Sequence, residues 1–290
     1  MDKTVRQRDL PPHRGREARL EILGAPVSTH RVETYVLPRD TCGPDDATAP
    51  ATRVFLALPK AAPLRRGFPV LYLLDGNAAF DHLTPALLEA VPDLVVAGIG
   101  YDTDQQFARA QRTFDYSPPV APGAAPRPDP HHPDRRAGGA EQFLARLTGP
   151  IRAEVESRLR IDPARRMLWG HSFGGLFTFY TAMTRPDAFS RYAAISPSIW
   201  WDEDLAAGLV RARRLQPRQR TRLCVGLGDS EQRTGSSAPA RKGPPPQTMA
   251  LLNTLCSLDG LEMQLTIYPE AVHIATLGAS LPETLRQAAA

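Results

Sequence analysis

Apolar residues along the chain fall into two patterns. In Phe68–Leu74 and Leu94–Gly100 they form unbroken runs, which predict parallel strands covered on both faces. Thr29–Leu37 and Thr52–Leu58 read as strands joined by a proline-bearing turn, an antiparallel pair. Arg166–Trp169, Arg191–Ile195, Thr221–Gly228 and Leu261–Tyr268 continue the series. Between them the spacing turns helical. Ala78–Ala90 and Gly174–Met183 are helices, the second stopping before Pro186. Glu141–Arg160 carries Phe143, Leu144, Leu147, Ile151, Val155 and Leu159 on one face, with a kink or restart at Pro150. Thr248–Leu258 is a short helix closed by Gly260, and Leu281–Ala289 is a terminal one. Strands alternating with helices predict an α/β fold, with a mainly parallel central sheet of about eight strands and helices on both faces.

Three stretches lack this rhythm. Residues 1–28 are polar and unpatterned, and are expected to be a poorly ordered tail ahead of a single domain over 29–290. Residues 117–139 and 232–247 are too rich in proline, glycine and small residues to pack. Each follows a strand and precedes a helix, so both are expected at the carboxyl edge of the sheet, as plain surface loops or as mobile rims of a site.

Composition narrows the function classes. A charge of +4 favours anionic partners weakly, but the arginines are scattered with no aromatic-interleaved stripe, which argues against nucleic-acid binding. Three cysteines, Cys42, Cys224 and Cys256, are too few for a disulfide framework, and the last two read as core residues. No apolar run approaches the roughly 20 residues of a membrane span, and residues 1–28 lack an apolar export segment. A cytoplasmic location is expected, or a periplasmic one if a leader was removed; oligomeric state is not legible.

The chemistry is carried by Met167-Leu-Trp-Gly-His-Ser-Phe-Gly-Gly175, a strand, a G-x-S-x-G turn and a helix. This is the layout of a nucleophile elbow, which lifts a serine hydroxyl, here Ser172, above the sheet. Gly170 and Gly174 are expected because a Cβ at either would clash. The serine needs a base, and of seven histidines only His273 lies beyond the last strand. The acid that orients it should follow Thr221–Gly228, where Asp229 and Glu231 both qualify; a Ser–His dyad is the alternative. Oxyanion donors are expected from the Phe173 N–H and from the Asp75-Gly76-Asn77 turn, with Asn77 N–H chosen. His131 and His132, with Asp134, are adjacent side chains that converge poorly on one ion, so no metal and no cofactor are expected.

Together these residues resemble the esterase branch of the α/β-hydrolases, which holds esterase D-like, mycolyltransferase-like and enterochelin-type enzymes. The resemblance runs from about residue 28 to the C-terminus and is strongest to esterases that open the trilactone of catecholate siderophores. Tyr72–Asn77, Gly98–Tyr101, Arg112–Pro118, Gly170–Gly175, Ser196–Trp201, Gly228–Gln232 and Tyr268–His273 carry it, Arg112–Pro118 and Ser196–Trp201 most specifically. The family pattern has Glu in its Gly-x-x-Glu-Gln element, which favours Glu231 over Asp229. The insert after Pro119 departs from the pattern. The resemblance implies a serine esterase acting through an acyl-enzyme on an anionic ferric siderophore. Arg112 and the loop residues Arg127, Arg135, Arg136, Arg233, Arg241 and Lys242 would then form a cationic rim, with Trp200 and Trp201 stacking on catechol rings. Competing readings are a general carboxylesterase or thioesterase, and a non-catalytic binding protein on the same fold.

Overall fold

The computed structural model describes residues 15–37, 51–63, 65–214, 220–231 and 243–290. Strands β1 (His30–Val36), β2 (Thr52–Pro59), β3 (Phe68–Leu74) and β4 (Val95–Tyr101) open the chain. A small separate ribbon follows, β5 (Arg127–Pro128) and β6 (Arg136–Ala137). The remaining strands are β7 (Ile161–His171), β8 (Arg191–Ile195), β9 (Thr221–Gly228) and β10 (Leu261–Tyr268). All but β5 and β6 join one eight-stranded sheet in the order β1-β2-β4-β3-β7-β8-β9-β10. The pairings β1–β2 and β2–β4 are antiparallel and the rest parallel.

The unbroken apolar runs mark the centre. Every residue of β3 and β4 is buried, whereas the edge strand β10 has no buried position. Within β3 the period of two divides side chains between two cores. Tyr72 and Leu74 join Leu168, Phe177 and Tyr192 on one face; Leu71 and Leu73 join Phe80, Trp169 and Leu281 on the other.

The helices are α1 (Gly76–Asp81), α2 (Pro85–Glu89), α3 (Arg109–Tyr116), α4 (Ala140–Arg146), α5 (Arg152–Glu156), α6 (Phe173–Thr184), α7 (Glu203–Arg214), α8 (Pro246–Leu255) and α9 (Ala275–Ala289). The expected helix Ala78–Ala90 is divided between α1 and α2. Pro85 cannot continue a helix, and Thr84 caps a new one by accepting from the Leu87 N–H at 3.3 Å. Pro150 acts as expected: a wide turn over Leu147–Ile151 separates α4 from α5, with Gly149 at φ −102°, ψ −108°. Helices α3 and α7 were not expected. Helix α9 begins ahead of the expected Leu281, and the indole N–H of Trp169 fixes it to the sheet through Ser280 Oγ at 3.1 Å.

Three expectations are corrected. Residues 15–28 are not a loose tail: a turn of 3-10 helix at Glu21–Leu23 buries Ile22, and Val27 is buried as well. Residues 1–14 and Cys42 lie outside the described residues. The insert 117–139 does pack, contrary to the reading of its composition. Its β5–β6 ribbon buries Ala137 and Asp129, and its base is closed where the Gly138 N–H donates to Ser117 Oγ at 2.8 Å. Of the cysteines read as core, Cys224 is half-buried and Cys256 is exposed, and both are free thiols. No described helix is long and apolar enough to cross a membrane.

Candidate active site

Ser172 sits between the end of β7 and the start of α6 with φ 60° and ψ −117°, a conformation that side-chain-bearing residues rarely adopt. The turn is held from several sides. The Ser172 N–H donates to the Ile195 carbonyl at 2.9 Å, and the Ser172 carbonyl accepts from Ser198 N–H at 3.0 Å. Gly170 is required here: a Cβ would stand 2.2 Å from the Gly174 carbonyl oxygen. Gly174, expected to be equally constrained, is not, since its nearest neighbours would be 3.4 Å away. Gly175 instead carries the second constraint, its Cβ falling 2.7 Å from the Ile195 oxygen.

Parallel order places the carboxyl ends of β7, β9 and β10 at one edge of the sheet, and three distant side chains meet there. The Ser172 hydroxyl and His273 Nε2 are within hydrogen-bond reach at 3.0 Å. His273 hangs in the loop between β10 and α9. Its carbonyl accepts from the Thr276 hydroxyl at 2.7 Å and from His171 Nε2–H at 2.8 Å. Behind it, Glu231 Oε2 lies 3.6 Å from Nδ1. That is longer than a hydrogen bond, and it sets the carboxylate facing Nδ1 across a short gap. Glu231 Oε1 accepts from the Gly228 N–H at 2.8 Å and from the Ser196 hydroxyl. Burial pushes the Glu231 carboxyl up, but His273, Ser196 and the Gly228 N–H outweigh it and hold the group below its ordinary value. Glu231, rather than Asp229, therefore faces the imidazole; the Asp229 carboxylate accepts from its neighbour Ser230.

His171 is buried against His273 with ring centroids 4.9 Å apart. Burial, and then the neighbouring His273, hold it well below 6.5, so it is neutral and its one N–H goes to the His273 carbonyl. Ser196 and Ser198, in the Ser196–Trp201 element where only the tryptophans are given a role, belong to the site, as does Thr276, which no motif marks. Hydroxyl residues are too common for sequence spacing to single them out.

The turn that follows β3 also reaches the site. Asn77 is buried in the first turn of α1, where N–H groups have no helical acceptor. Its side chain bonds the backbone of Tyr101 and Thr103, fixing that turn to β4. Asp75 lies against Gly174 at the start of α6, which brings the turn beside the backbone of Phe173.

Several expected substrate contacts are turned inward. Arg112 is not a rim cation: its Nε and Nη2 bind the two Asp75 oxygens at 2.8 and 2.7 Å, and its side chain is 10% exposed. Its guanidinium lies over the rings of Phe107, Tyr116 and Phe173. Trp201 is not a stacking surface either. It is 2% exposed, packs on Phe173 and Leu176, and its indole N–H donates to Asp129 at 3.3 Å. Arg127, 36% exposed, lies over Trp201 and pairs with Asp202 at 2.8 Å, and Arg136, which is exposed, lies over Phe114. Trp200 remains half-buried with the His131 ring edge-on at 5.2 Å. Arg135 is half-buried, whereas Arg233, Arg241 and Lys242 lie outside the described residues. No group of three or more metal-type ligands occurs among the described residues.

The comparisons fit this geometry. Ferri-bacillibactin esterase BesA of Bacillus subtilis is 38% identical over 163 residues, 52% of this chain and 54% of its own length. An apo-salmochelin esterase of Escherichia coli is 37% identical over 173 residues, 58% of this chain and 52% of its own. The chain thus spans about half the length of the curated relatives it matches. Among solved structures, the enterobactin and salmochelin hydrolase IroE superposes with a TM-score of 0.73 at 26% identity, covering 93% of this chain and 99% of that one. The family model "Putative esterase" matches residues 47–273, the span that carries the strained serine, the histidine and the glutamate, and the chain belongs to that esterase family.

Proposed function

We propose that this protein is a serine carboxylic ester hydrolase acting on an ester of a catecholate-type siderophore. The observation that carries the reading is the 3.0 Å contact between Ser172 Oγ, on a strained elbow, and His273 Nε2. In the proposed cycle His273 takes the Ser172 proton as the oxygen attacks the ester carbonyl. Glu231 holds the imidazole in the tautomer with Nδ1 protonated and stabilises its charged form. Charge developing on the carbonyl oxygen rests on the N–H groups of Phe173 and Asn77. His273 returns the proton to the leaving alcohol, then activates water to release the acyl group from Ser172. No step in this cycle calls on a cofactor.

Relatives named for bacillibactin, salmochelin and enterobactin support the substrate class. Iron would enter with the substrate and leave once the ligand is cut. The free thiols of Cys224 and Cys256 fit a reducing compartment, the cytoplasm. A second reading, a carboxylesterase of smaller acyl substrates, is favoured by the inward turn of Arg112 and Trp201. Mass spectrometry of ferric and iron-free trilactone siderophores, incubated with wild type and with Ser172→Ala, tests the proposal. Cleavage by wild type alone is expected. Turnover of simple aryl esters with neither siderophore cut would move the assignment to the second reading. A serine that no fluorophosphonate labels would remove both.

A further inference from the structure

Among the described residues Ser172 Oγ has two hydrogen-bond neighbours. Besides His273 Nε2 at 3.0 Å, the Ser198 hydroxyl lies 3.2 Å away. Counting protons fixes the direction of the second contact. The Glu231 carboxylate, 3.6 Å from His273 Nδ1, favours the imidazole proton on that nitrogen, and in this tautomer Nε2 is an acceptor. The single hydroxyl proton of Ser172 is used on Nε2. The proton between the two serines therefore belongs to Ser198, which donates to the nucleophile.

The placement of Ser198 is rigid. Its side chain is 0% exposed. Its N–H donates to the Ser172 carbonyl at 3.0 Å, and its own carbonyl accepts from the Trp201 N–H at 3.0 Å. Ser196, two residues earlier, turns the chain with φ 42°, and Pro197 between them fixes one more dihedral. Trp201 is in turn bound by the insert through Asp129 and His131. Ser198 thus grips Ser172 at both its backbone and its side-chain oxygen.

We infer that Ser198 is a further catalytic residue, a fixed hydrogen-bond donor to Ser172 Oγ that acts in acylation and much less in deacylation. This rests on the esterase reading above. In acylation the Ser172 proton passes to His273 Nε2 while an Oγ electron pair forms the bond to the acyl carbon. The π pair of the carbonyl moves onto its oxygen. Charge on Oγ runs ahead of bond formation, and a donor there is stabilising; Ser198 keeps its own proton throughout. In deacylation Oγ is an ester oxygen when water attacks. While water attacks it is a weak acceptor with little charge and the donor contributes little; charge returns to Oγ only afterwards, as the C–Oγ bond breaks and His273 hands it the proton, past the water attack that limits this step.

The test is the Ser198→Ala variant, with Ser198→Cys retaining similar volume and a weaker donor. Labelling by an aryl-tagged fluorophosphonate forms the Oγ–P bond and expels fluoride with the P–F pair, and reads the first step alone. Pre-steady-state bursts with a p-nitrophenyl ester separate acylation from deacylation. Loss of one hydrogen bond to a partly charged oxygen is expected to slow labelling and the burst about tenfold. Deacylation should stay within about twofold, and the rates should order wild type, Cys, Ala. Equal labelling by all three overturns the inference. So does a parallel fall in both steps, which would mean that the elbow itself has shifted. If wild type is not labelled at all, the esterase reading fails instead, before Ser198 is in question.

Discussion

The pairing of Arg112 with Asp75 makes a prediction that separates two views of the site. Both charges are buried, with side-chain exposures of 10% and 2%, and they are joined by two near-parallel hydrogen bonds of 2.8 and 2.7 Å. Burial pushes the guanidinium's proton affinity down, but Asp75 outweighs it and raises it above the ordinary arginine value. Arg112→Met leaves the Asp75 carboxylate without its partner, in a turn whose backbone already holds φ 50°. Breaking a buried pair from one side costs about 3–5 kcal/mol. At about 2–4 °C per kcal/mol for a large domain, the melting temperature should fall by about 6–20 °C. The double variant Arg112→Met with Asp75→Asn removes both charges, and Asn tolerates positive φ, so it should recover most of the loss. Thermal melting by circular dichroism, with fluorophosphonate labelling as a check on the turn beside Phe173, measures both. An Arg112→Met protein that melts within about 2 °C of wild type, and whose only defect is a salt-sensitive rise in KM for anionic esters, would refute the inward-lock account. It would restore Arg112 as a surface cation.

Other predictions follow from single contacts. Glu231→Gln should lower kcat/KM by about 10²- to 10⁴-fold, while Asp229→Ala changes it little; steady-state kinetics on an aryl ester decides. Because the Glu231 carboxyl is held below its ordinary value of 4.5, it stabilises the fold above that pH, and the benefit is lost as pH falls through the depressed folded value. The stability gap between wild type and Glu231→Gln, followed by denaturant melts, should therefore close on the acid side. Gly170→Ala should fail to give soluble protein, since its Cβ would sit 2.2 Å from a carbonyl oxygen. Gly174→Ala should fold and melt within about 1 kcal/mol of wild type, because a helical alanine offsets a neighbour at 3.4 Å. Asp129→Ala loses acceptors for the His131 and His132 N–H groups and for Trp201. It should raise hydrogen exchange across residues 127–137 with a global cost of about 1–3 kcal/mol.

Much of the fold is legible in the sequence because parallel strands buried on both faces write unbroken apolar runs. The bounds of β3 coincide with such a run, and those of β8, β9 and the exposed edge strand β10 with the segments read as strands. Helix α7 carries its start in the sequence: Asp202 caps it by accepting from the Leu205 N–H at 3.0 Å, and Glu203 and Asp204 fill its first turn. Helix α3 is too polar for its periodicity to stand out, because Arg112 and Asp115 are buried by ion pairs rather than by apolar contact. Ser172 is legible from its G-x-S-x-G turn between strand and helix, and His273 from chain order. The acid could not be read from spacing, since Asp229 and Glu231 leave the same strand and only the direction of each side chain distinguishes them. Arg112 and Trp201 misled for the same reason: residue type gives charge and aromaticity, not whether the group faces solvent or the interior. The insert was misjudged on composition, because Asp129 and the Arg127–Asp202 pair supply contacts that apolar content does not register.

The closed neck of that insert has an architectural consequence. Residues 117 and 138 are clasped together, and the Gly139 N–H donates to the Phe114 carbonyl at 2.9 Å, so the chain leaves and rejoins the body of the enzyme at nearly one point. Its far end is tied down too, by Arg127 on Asp202 and by Asp129 and His131 on Trp201. An excursion pinned at both neck and tip acts as a buttress, so a change of sequence at its tip is transmitted through Trp201 to the turn that holds the nucleophilic serine.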